Sequence, residues 1–420
     1  MKILILGLNY SPEKVGIAVY TTGMTEALTA RGHELQVIAG QPYYPSWSVP
    51  DGYSRCWYGR GVENGIDVTR APHYVPQNPS GAKRVIHHAT FAATTLLPML
   101  VRAITWRPDI VFTVAPSLIA APVALLAAKL CGARSWLHIQ DFEVEAAFAT
   151  GLLTHESVVG KWAEHFEQRV IHSFDRVSTI SPQMCAKLVS KGIPSNRVVE
   201  FRNWANIDAI RPLDASSSFR AEWNIRTPHV ALYSGNIANK QGIEIVVKAA
   251  KRLVHREDLT FVVCGEGPNR DNLRAQAAGL TNIQFHDLQA KGRLNDLVGL
   301  ATIHLLPQLA GASDLVLPSK LTNMLASGRP VVATAISGTG LANEVDGCGI
   351  VTFPEDPKAF ASAIETLMDD PGLYKRLSES ARKRAEERWS GVAILERIGL
   401  DLENTDTAPQ RTLDTVQGRN

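Results

Sequence analysis

The chain has 420 residues, with 43 Lys and Arg against 41 Asp and Glu, for a formal net charge of +2. That length suits two α/β domains better than one. Near charge balance argues against nucleic acid as the main partner, because binding a phosphate backbone needs a clear basic excess. Cys56, Cys131, Cys185, Cys264 and Cys348 are scattered, odd in number and without a CxxC pair, which reads as buried free thiols in a reducing cytosol.

The chain opens on Lys2-Ile3-Leu4-Ile5-Leu6-Gly7, a strand running into a glycine turn and too short for a secretory core. Residues 16–31 read as a helix, with strands following at 35–39, 67–70, 110–114, 135–139 and 176–180. Residues 110–128 carry no charge and approach the roughly 20 residues of a membrane span. Pro116 and Ser117 interrupt that stretch, so it reads as a buried strand over 110–114 and a helix over 118–130. Pro122 then falls near the first turn, where its missing N–H costs least.

The pattern restarts at Val230-Ala231-Leu232-Tyr233-Ser234-Gly235, again a strand into a glycine turn. A helix is expected over 243–254 and strands at 259–264, 283–285, 303–306, 331–333 and 350–351. Short apolar runs alternating with helices imply a parallel sheet covered on both faces. Two such halves predict an α/β chain of two Rossmann-like, doubly wound domains. The linker is placed near 206–228, where Pro212 and Ser216-Ser217-Ser218 fall. A charged helix over 373–389 follows, and the polar tail 404–420 is expected to be disordered.

Ligands of such sheets bind at the carboxyl ends of the strands, where helix N-termini present N–H groups to anions. Two loops have that composition: Asn9 to Gly16 after the first strand, and Gly235 to Gly242 after the first strand of the second half. In the second, Lys240 adds a point charge suited to a diphosphate, or is an ordinary solvated lysine. Neither loop is a GxGxxG or a Walker A sequence. A third segment, 314–321, contains Asp314, Pro318, Ser319 and Lys320 and leads into a helix; Ser319 is a good N-cap, and Lys320 can reach an anion there.

Taken in order, these segments resemble the large retaining glycosyltransferase family 4, with its GT-B fold. The resemblance runs from Met1 to about Trp389. It is carried by Asn9-Tyr10-Ser11-Pro12 with Gly16, the Gly235 to Gly242 loop, Gly265-Glu266-Gly267-Pro268, Ala326-Ser327-Gly328-Arg329-Pro330-Val331-Val332, and Asn343-Glu344-Val345. Residues 137–145 and the phrase Pro318-Ser319-Lys320-Leu321 look closest to bacterial exopolysaccharide enzymes of the colanic-acid fucosyltransferase type. The resemblance implies two domains facing a cleft. An acceptor-binding domain spans 1–205 and a nucleotide-sugar donor-binding domain 206–385. A C-terminal helix region over 386–403 packs back on the first, and the tail 404–420 follows.

It further implies a cytoplasmic enzyme that moves a sugar from GDP-fucose or another nucleotide-diphosphate hexose. The acceptor is a lipid-linked saccharide at the inner membrane face, and no cofactor or metal takes part. Lys240 and the amides near Gly16, Ser319 and Lys320 would hold the diphosphate, beside Gly235, Asn236, Pro318 and Asn323. Gly265, Glu266 and Asp287-Leu288 would shape the nucleoside pocket, and Asp314 would bind donor hydroxyls or cap its loop. His138, Gln140 and Asp141 would orient sugar or acceptor, with Asp141 alternatively a helix cap. Glu143 and Glu145 read as a solvated face. The chain departs from the family at Leu315 and Asn323, where relatives carry two glutamates, at Asn236, where they carry arginine, and at Gln140, where they carry histidine. Two alternatives are a GT-B sugar-nucleotide epimerase, which needs paired carboxylates, and a non-catalytic binding subunit. Lys83-Arg84 and His87-His88, ahead of the apolar run 89–101 and Arg102 and Arg107, predict a helix that lies on an anionic bilayer or faces the core.

Overall fold

The computed structural model describes every residue except 15, 150–152, 155, 205–206, 208, 238–240, 311–317, 319 and 405–420. Lys240, Asp314, Leu315, Ser319 and the tail from 405 onward therefore lie outside the described residues. The chain divides into two compact units. The first comprises residues 1–180, 184–201 and the chain from Leu395; the second comprises 181–183 and 202–394.

The first unit holds an eight-stranded sheet. Its strands are β1 (Lys2–Gly7), β2 (Glu34–Gly40), β3 (Gly59–Glu63), β4 (Ile66–Ala71), β5 (Ile110–Ala115), β6 (Arg134–Ile139), β7 (Arg176–Thr179) and β8 (Val198–Glu200). Their spatial order is β3-β4-β2-β1-β5-β6-β7-β8, all parallel except the β3–β4 pair. The covering helices are α1 (Ile17–Ala30), α2 (Gly81–Thr105), α3 (Ala121–Cys131), α4 (Glu143–Ala149), α5 (Val158–Ser173) and α6 (Pro182–Ser190), the last straddling the two units. The expected break of 110–128 occurs: β5 ends at Ala115, and Pro122 sits in the first turn of α3. β1 and β5 are buried throughout or nearly so, as strands covered on both faces must be. The edge strands β3 and β8 were not expected, because neither has the apolar run of a central strand.

The second unit holds a six-stranded, all-parallel sheet of β9 (His229–Ser234), β10 (Leu259–Cys264), β11 (Ile283–His286), β12 (Ile303–Leu306), β13 (Val331–Thr334) and β14 (Gly349–Thr352). Helices α7 (Phe219–Glu222), α8 (Glu244–Arg252), α9 (Arg270–Gln276), α10 (Leu294–Leu300), α11 (Lys320–Ala326), α12 (Gly340–Val345), α13 (Pro357–Asp369) and α14 (Pro371–Trp389) surround it. The order β11-β10-β9-β12-β13-β14 is the Rossmann order, counted outward from the unit's first strand. One apolar core packs α8 and α13 on one face of the sheet, and another packs α11, α12 and α14 on the other. The last helix, α15 (Gly391–Glu403), ends in the first unit, where Glu403 pairs with Arg31 and His33, each at 3.0 Å. Cys264 and Cys348 are buried, but Cys56 is exposed.

Candidate functional site

In each sheet the strand order reverses once, between β1 and β5 and between β9 and β12. At such a reversal the loops leave in opposite directions and open a crevice at the carboxyl ends of the strands. In the second unit that crevice is flanked by the turn after β9, and Lys320, the first residue of α11, reaches into it. Gly235 has φ +136, and a Cβ there would stand 3.4 Å from Lys320 Nζ.

Lys320 Nζ donates to Tyr233 Oη at 2.9 Å and lies 4.2 Å from that ring's centroid. The Tyr233 hydroxyl lies 2.6 Å from the Asn236 carbonyl and 2.9 Å from Gln241 Oε1, either of which can accept its one proton. Burial alone pulls the Lys320 ammonium down to about 8, and burial pushes the Tyr233 phenol up. At neutral pH the site thus holds a partly desolvated cation at a glycine turn.

That turn is locked to the next. A Cβ on Gly265, at φ +154, would fall 1.9 Å from Gly235 O, and one on Gly267 would fall 2.2 Å from Ile237 O. The close approach is sealed by backbone hydrogen bonds from Gly235 to Cys264 O at 2.9 Å and from Ile237 to Glu266 O at 2.7 Å. The Gly235–Asn236 and Gly265–Glu266 turns therefore form one rigid double loop, with the Asn236 side chain exposed. Glu266 is tied to Arg270 at 3.1 Å, and Arg270 also grips Asp287. Beside Asp287, Leu288 is 63% exposed. Pro318 accepts the Leu321 amide at 2.9 Å, which begins the turn of α11, and Asn323 stands half-buried one turn past Lys320.

In the first unit, Gly16 precedes α1 with φ +65. The loop before it is braced by Glu13. One oxygen of that carboxylate accepts the Tyr43 and Tyr44 amides at 2.8 and 2.9 Å, and the other accepts Asn9 Nδ2 at 2.9 Å. Burial raises the Glu13 carboxyl's pKa against those donors.

β6 carries His138, Gln140 and Asp141 to its carboxyl end. His138 is sealed at 2% exposure, with Gln140 Nε2 at 2.9 Å from its Nε2 and Ser178 Oγ at 3.0 Å from its Nδ1. Gln140 can only donate there from its amide nitrogen, so Nδ1 carries the His138 proton and gives it to Ser178, which also accepts from Trp136 Nε1 at 2.8 Å. Burial pulls His138 down to about 3, so it stays neutral and acts inside the core, steering Gln140. Gln140 is itself buried, and Asp141 is half-buried.

The solvated-face reading of Glu143 and Glu145 is wrong. Glu143 accepts the Ser117 and Leu118 amides at 2.5 and 2.9 Å, holding Ser117 at φ 102, and Glu145 pairs with Lys187 and with Lys191 at 2.9 Å. The alternation that suggested exposure is the first turn of α4.

Sequence reasoning missed Tyr233 and Glu13. The signal for the first was a tyrosine at the end of an otherwise aliphatic strand, since a buried phenol needs a partner for its hydroxyl.

Two family profiles divide the chain: a glycosyl transferase 4-like domain matches residues 15–204, and glycosyl transferases group 1 matches residues 216–384. The putative colanic acid biosynthesis glycosyl transferase WcaI of Escherichia coli K12 is 40% identical over 412 residues, covering 96% of this chain and all of that protein. Glycogen synthase of Mycobacterium tuberculosis H37Rv is 26% identical over 437 residues, covering 99% of each. Among solved structures, sucrose-phosphate synthase from Thermosynechococcus elongatus aligns with a TM-score of 0.72 at 16% identity, covering 96% of this chain and 98% of that one. Anabaena HepE in complex with UDP-glucose aligns at 0.65 with 16% identity, covering 96% and 99%. With both halves matched and 40% identity to WcaI along nearly the whole of both chains, the chain belongs to glycosyltransferase family 4 and has the GT-B fold.

Proposed function

We propose that this glycosyltransferase transfers a hexose, from GDP-fucose or another nucleotide-diphosphate sugar, to a lipid-linked saccharide during assembly of an exopolysaccharide of the colanic-acid type. The observation that carries the reading is the Lys320 ammonium set against the Gly235 turn where the strand order reverses. The name of the relative WcaI supports the pathway, and the UDP-glucose complex of HepE supports a nucleotide-sugar donor.

As the bond between the sugar's anomeric carbon and the leaving phosphate oxygen breaks, negative charge grows on the diphosphate. A fixed cation and rigid turn amides aimed there favour that state over the ground state. Lys320 supplies the charge, Tyr233 holds it in place, and Lys240 and the Ser319 amide are assigned to the same diphosphate. With the leaving charge met this way, no metal is required. The acceptor hydroxyl attacks on the face the phosphate leaves and passes its proton to a phosphate oxygen, so the configuration is retained. Leu288 and Glu266 border the nucleoside, and Asp314 and Asn323 contact donor hydroxyls. Gln140 and Asp141 face the acceptor, with His138 behind them. The enzyme works in the cytoplasm, on acceptors held at the inner membrane face.

The test is transfer from a panel of UDP- and GDP-sugars to a lipid-diphosphate saccharide, with the product anomer read by NMR. Lys320→Ala is expected to lower kcat/KM by about 10²–10³, while chelator leaves the rate unchanged. Full activity in that variant would remove Lys320 from the diphosphate site.

A further inference from the structure

Two adjacent tyrosines in the loop after β2 have opposite surroundings. Tyr43 is 6% exposed and packs against Trp47, His73 and a fully buried His87, with ring centroids 5.2, 5.5 and 4.6 Å away. Burial also removes His87 from the cationic helix surface expected from its sequence neighbours. Tyr44 is 41% exposed, and its hydroxyl has no hydrogen-bond partner among the described residues. Its ring nevertheless has a defined place. A Cβ on Gly16 would stand 3.6 Å from Tyr44 Cε1, so the ring edge is within contact distance of that turn. Gly16 follows β1, at whose carboxyl end the strand order reverses and ligands of such sheets bind. Six of the 16 residues 43–58 are aromatic, against 7% of the chain, and only Asp51 and Arg55 among them are charged. Rings, not charges, are what this loop brings to the crevice.

Glu13 sets the place of Tyr44. Its buried carboxylate accepts the Tyr43 and Tyr44 amides on Oε1 at 2.8 and 2.9 Å, so two amides of the β2 loop hang on a side chain of the β1 loop. Pro45 restricts the Tyr44 backbone from the other side. The β1 loop is anchored in turn by the buried Arg70, whose guanidinium donates to Ser11 O and, at 3.2 Å, to Gly40 O, while Ser11 N donates to Thr22 Oγ1 at 2.9 Å. The ring held in this way suits a particular ligand. A pyranose has a face of C–H groups rimmed by hydroxyls, and a tyrosine side chain, apolar in its body and polar at its tip, complements that face. One exposed ring beside a turn matches a single sugar unit, whereas a protein interface buries about 800 Å² on each partner.

We propose that Tyr44 is a substrate-contacting residue, against whose ring a pyranose of the acceptor packs at the Gly16 turn, and that Glu13 is its positioning residue. The assignment to the acceptor rests on the transferase reading above, but contact with a sugar is tested without turnover, so the two can fail separately.

Saturation-transfer NMR of the full chain with glucose, galactose, mannose and fucose, under excess UDP and GDP, reads the contact directly. At least one hexose is expected to take up saturation from wild type, to lose it about tenfold in Tyr44→Ala and to keep it in Tyr44→Trp. Tyr44 is exposed, so these variants should melt as wild type does. In the transfer assay Tyr44→Ala should raise acceptor KM about tenfold, with kcat and donor KM changed less than about twofold. Glu13→Ala leaves three N–H groups unmet and should raise acceptor KM as far. Glu13→Gln keeps an oxygen for both tyrosine amides and, with the Asn9 amide turned over, should restore acceptor KM to within about threefold of wild type. In Glu13→Ala/Tyr44→Ala acceptor KM should be no higher than in Tyr44→Ala, since nothing is left to position. Glu13→Asp, one methylene short, replaces Glu13→Ala if that variant does not fold. No hexose contact with wild type, an unchanged contact or acceptor KM in Tyr44→Ala, or a rise in donor KM instead, would overturn the role of Tyr44. Additive effects at Glu13 and Tyr44 would overturn the positioning role.

Discussion

A lysine held away from water costs stability, because burial disfavours its charged form. In the folded chain Lys320 titrates near 8, below the ordinary lysine value of 10.5. Between those values the unfolded chain binds more protons, so stability rises with pH across that window, and the cost is fully present below about 8. Lys320→Met is therefore expected to stabilise the ligand-free protein by about 1–2 kcal/mol, read by urea unfolding, while transfer collapses. A diphosphate restores the missing counter-charge, so donor affinity, measured by calorimetry, should weaken as pH rises past about 8. At Ser178 the expected change is the opposite. Its hydroxyl accepts from both Trp136 Nε1 and His138 Nδ1 in a closed core. Ser178→Ala leaves two buried donors unmet and should cost about 2–4 kcal/mol in chemical denaturation.

Turns and helices carry the next layer. The double loop after β9 and β10 exists because two glycine backbones can touch where no side chain fits. Gly265→Ala drives a methyl to 1.9 Å from Gly235 O at a φ that L-residues avoid, so the turn must move. The expected outcome is loss of at least about 3 kcal/mol, or failure to fold, together with loss of donor binding by any folded fraction. On the other sheet, the start of α4 holds the Ser117 turn through Glu143. Glu143→Ala frees two amides and relaxes the positive φ of Ser117. Hydrogen exchange at Ser117 and Leu118 should rise by about tenfold or more, with β5 still protected.

Across the whole molecule, the histidines that burial shifts furthest are unevenly shared. His73, His87, His88 and His138 lie in the first unit and His304 in the second, all pulled down by burial to between about 3 and 4. Each stays neutral when folded and takes up a proton when unfolded, so its contribution is lost as pH falls below about 6.5, at about 1.4 kcal/mol per unit. Four such groups remove about 5 kcal/mol in the first unit for each pH unit. Burial also raises the carboxyls of Glu13, Glu143 and Glu167 in that unit, which favours the folded chain on acidification and offsets part of the loss. The histidines outnumber these carboxyls, four to three, so the loss prevails. Acidification from pH 7 to 5 should therefore unfold the first unit before the second, as peptide-level hydrogen exchange would resolve.

The amino-acid sequence by itself determined the parallel cores of the two sheets, the glycine turns after β9 and β10, and the family. Apolar runs, glycines and their order along the chain are local properties, and local properties are written in the residues. It also brought Lys320 into view, through the phrase that opens α11. Only the tertiary structure decided what surrounds each polar group. Tyr233 lies 87 residues before Lys320, and Ser178 lies 40 after His138, so neither partnership is visible along the chain. The same holds for α2, whose sequence is apolar on both sides: only packing against α3 and the sheet decides which face is core and which meets water. Burial is set by distant segments, and burial fixes which charges survive and which side chains meet water.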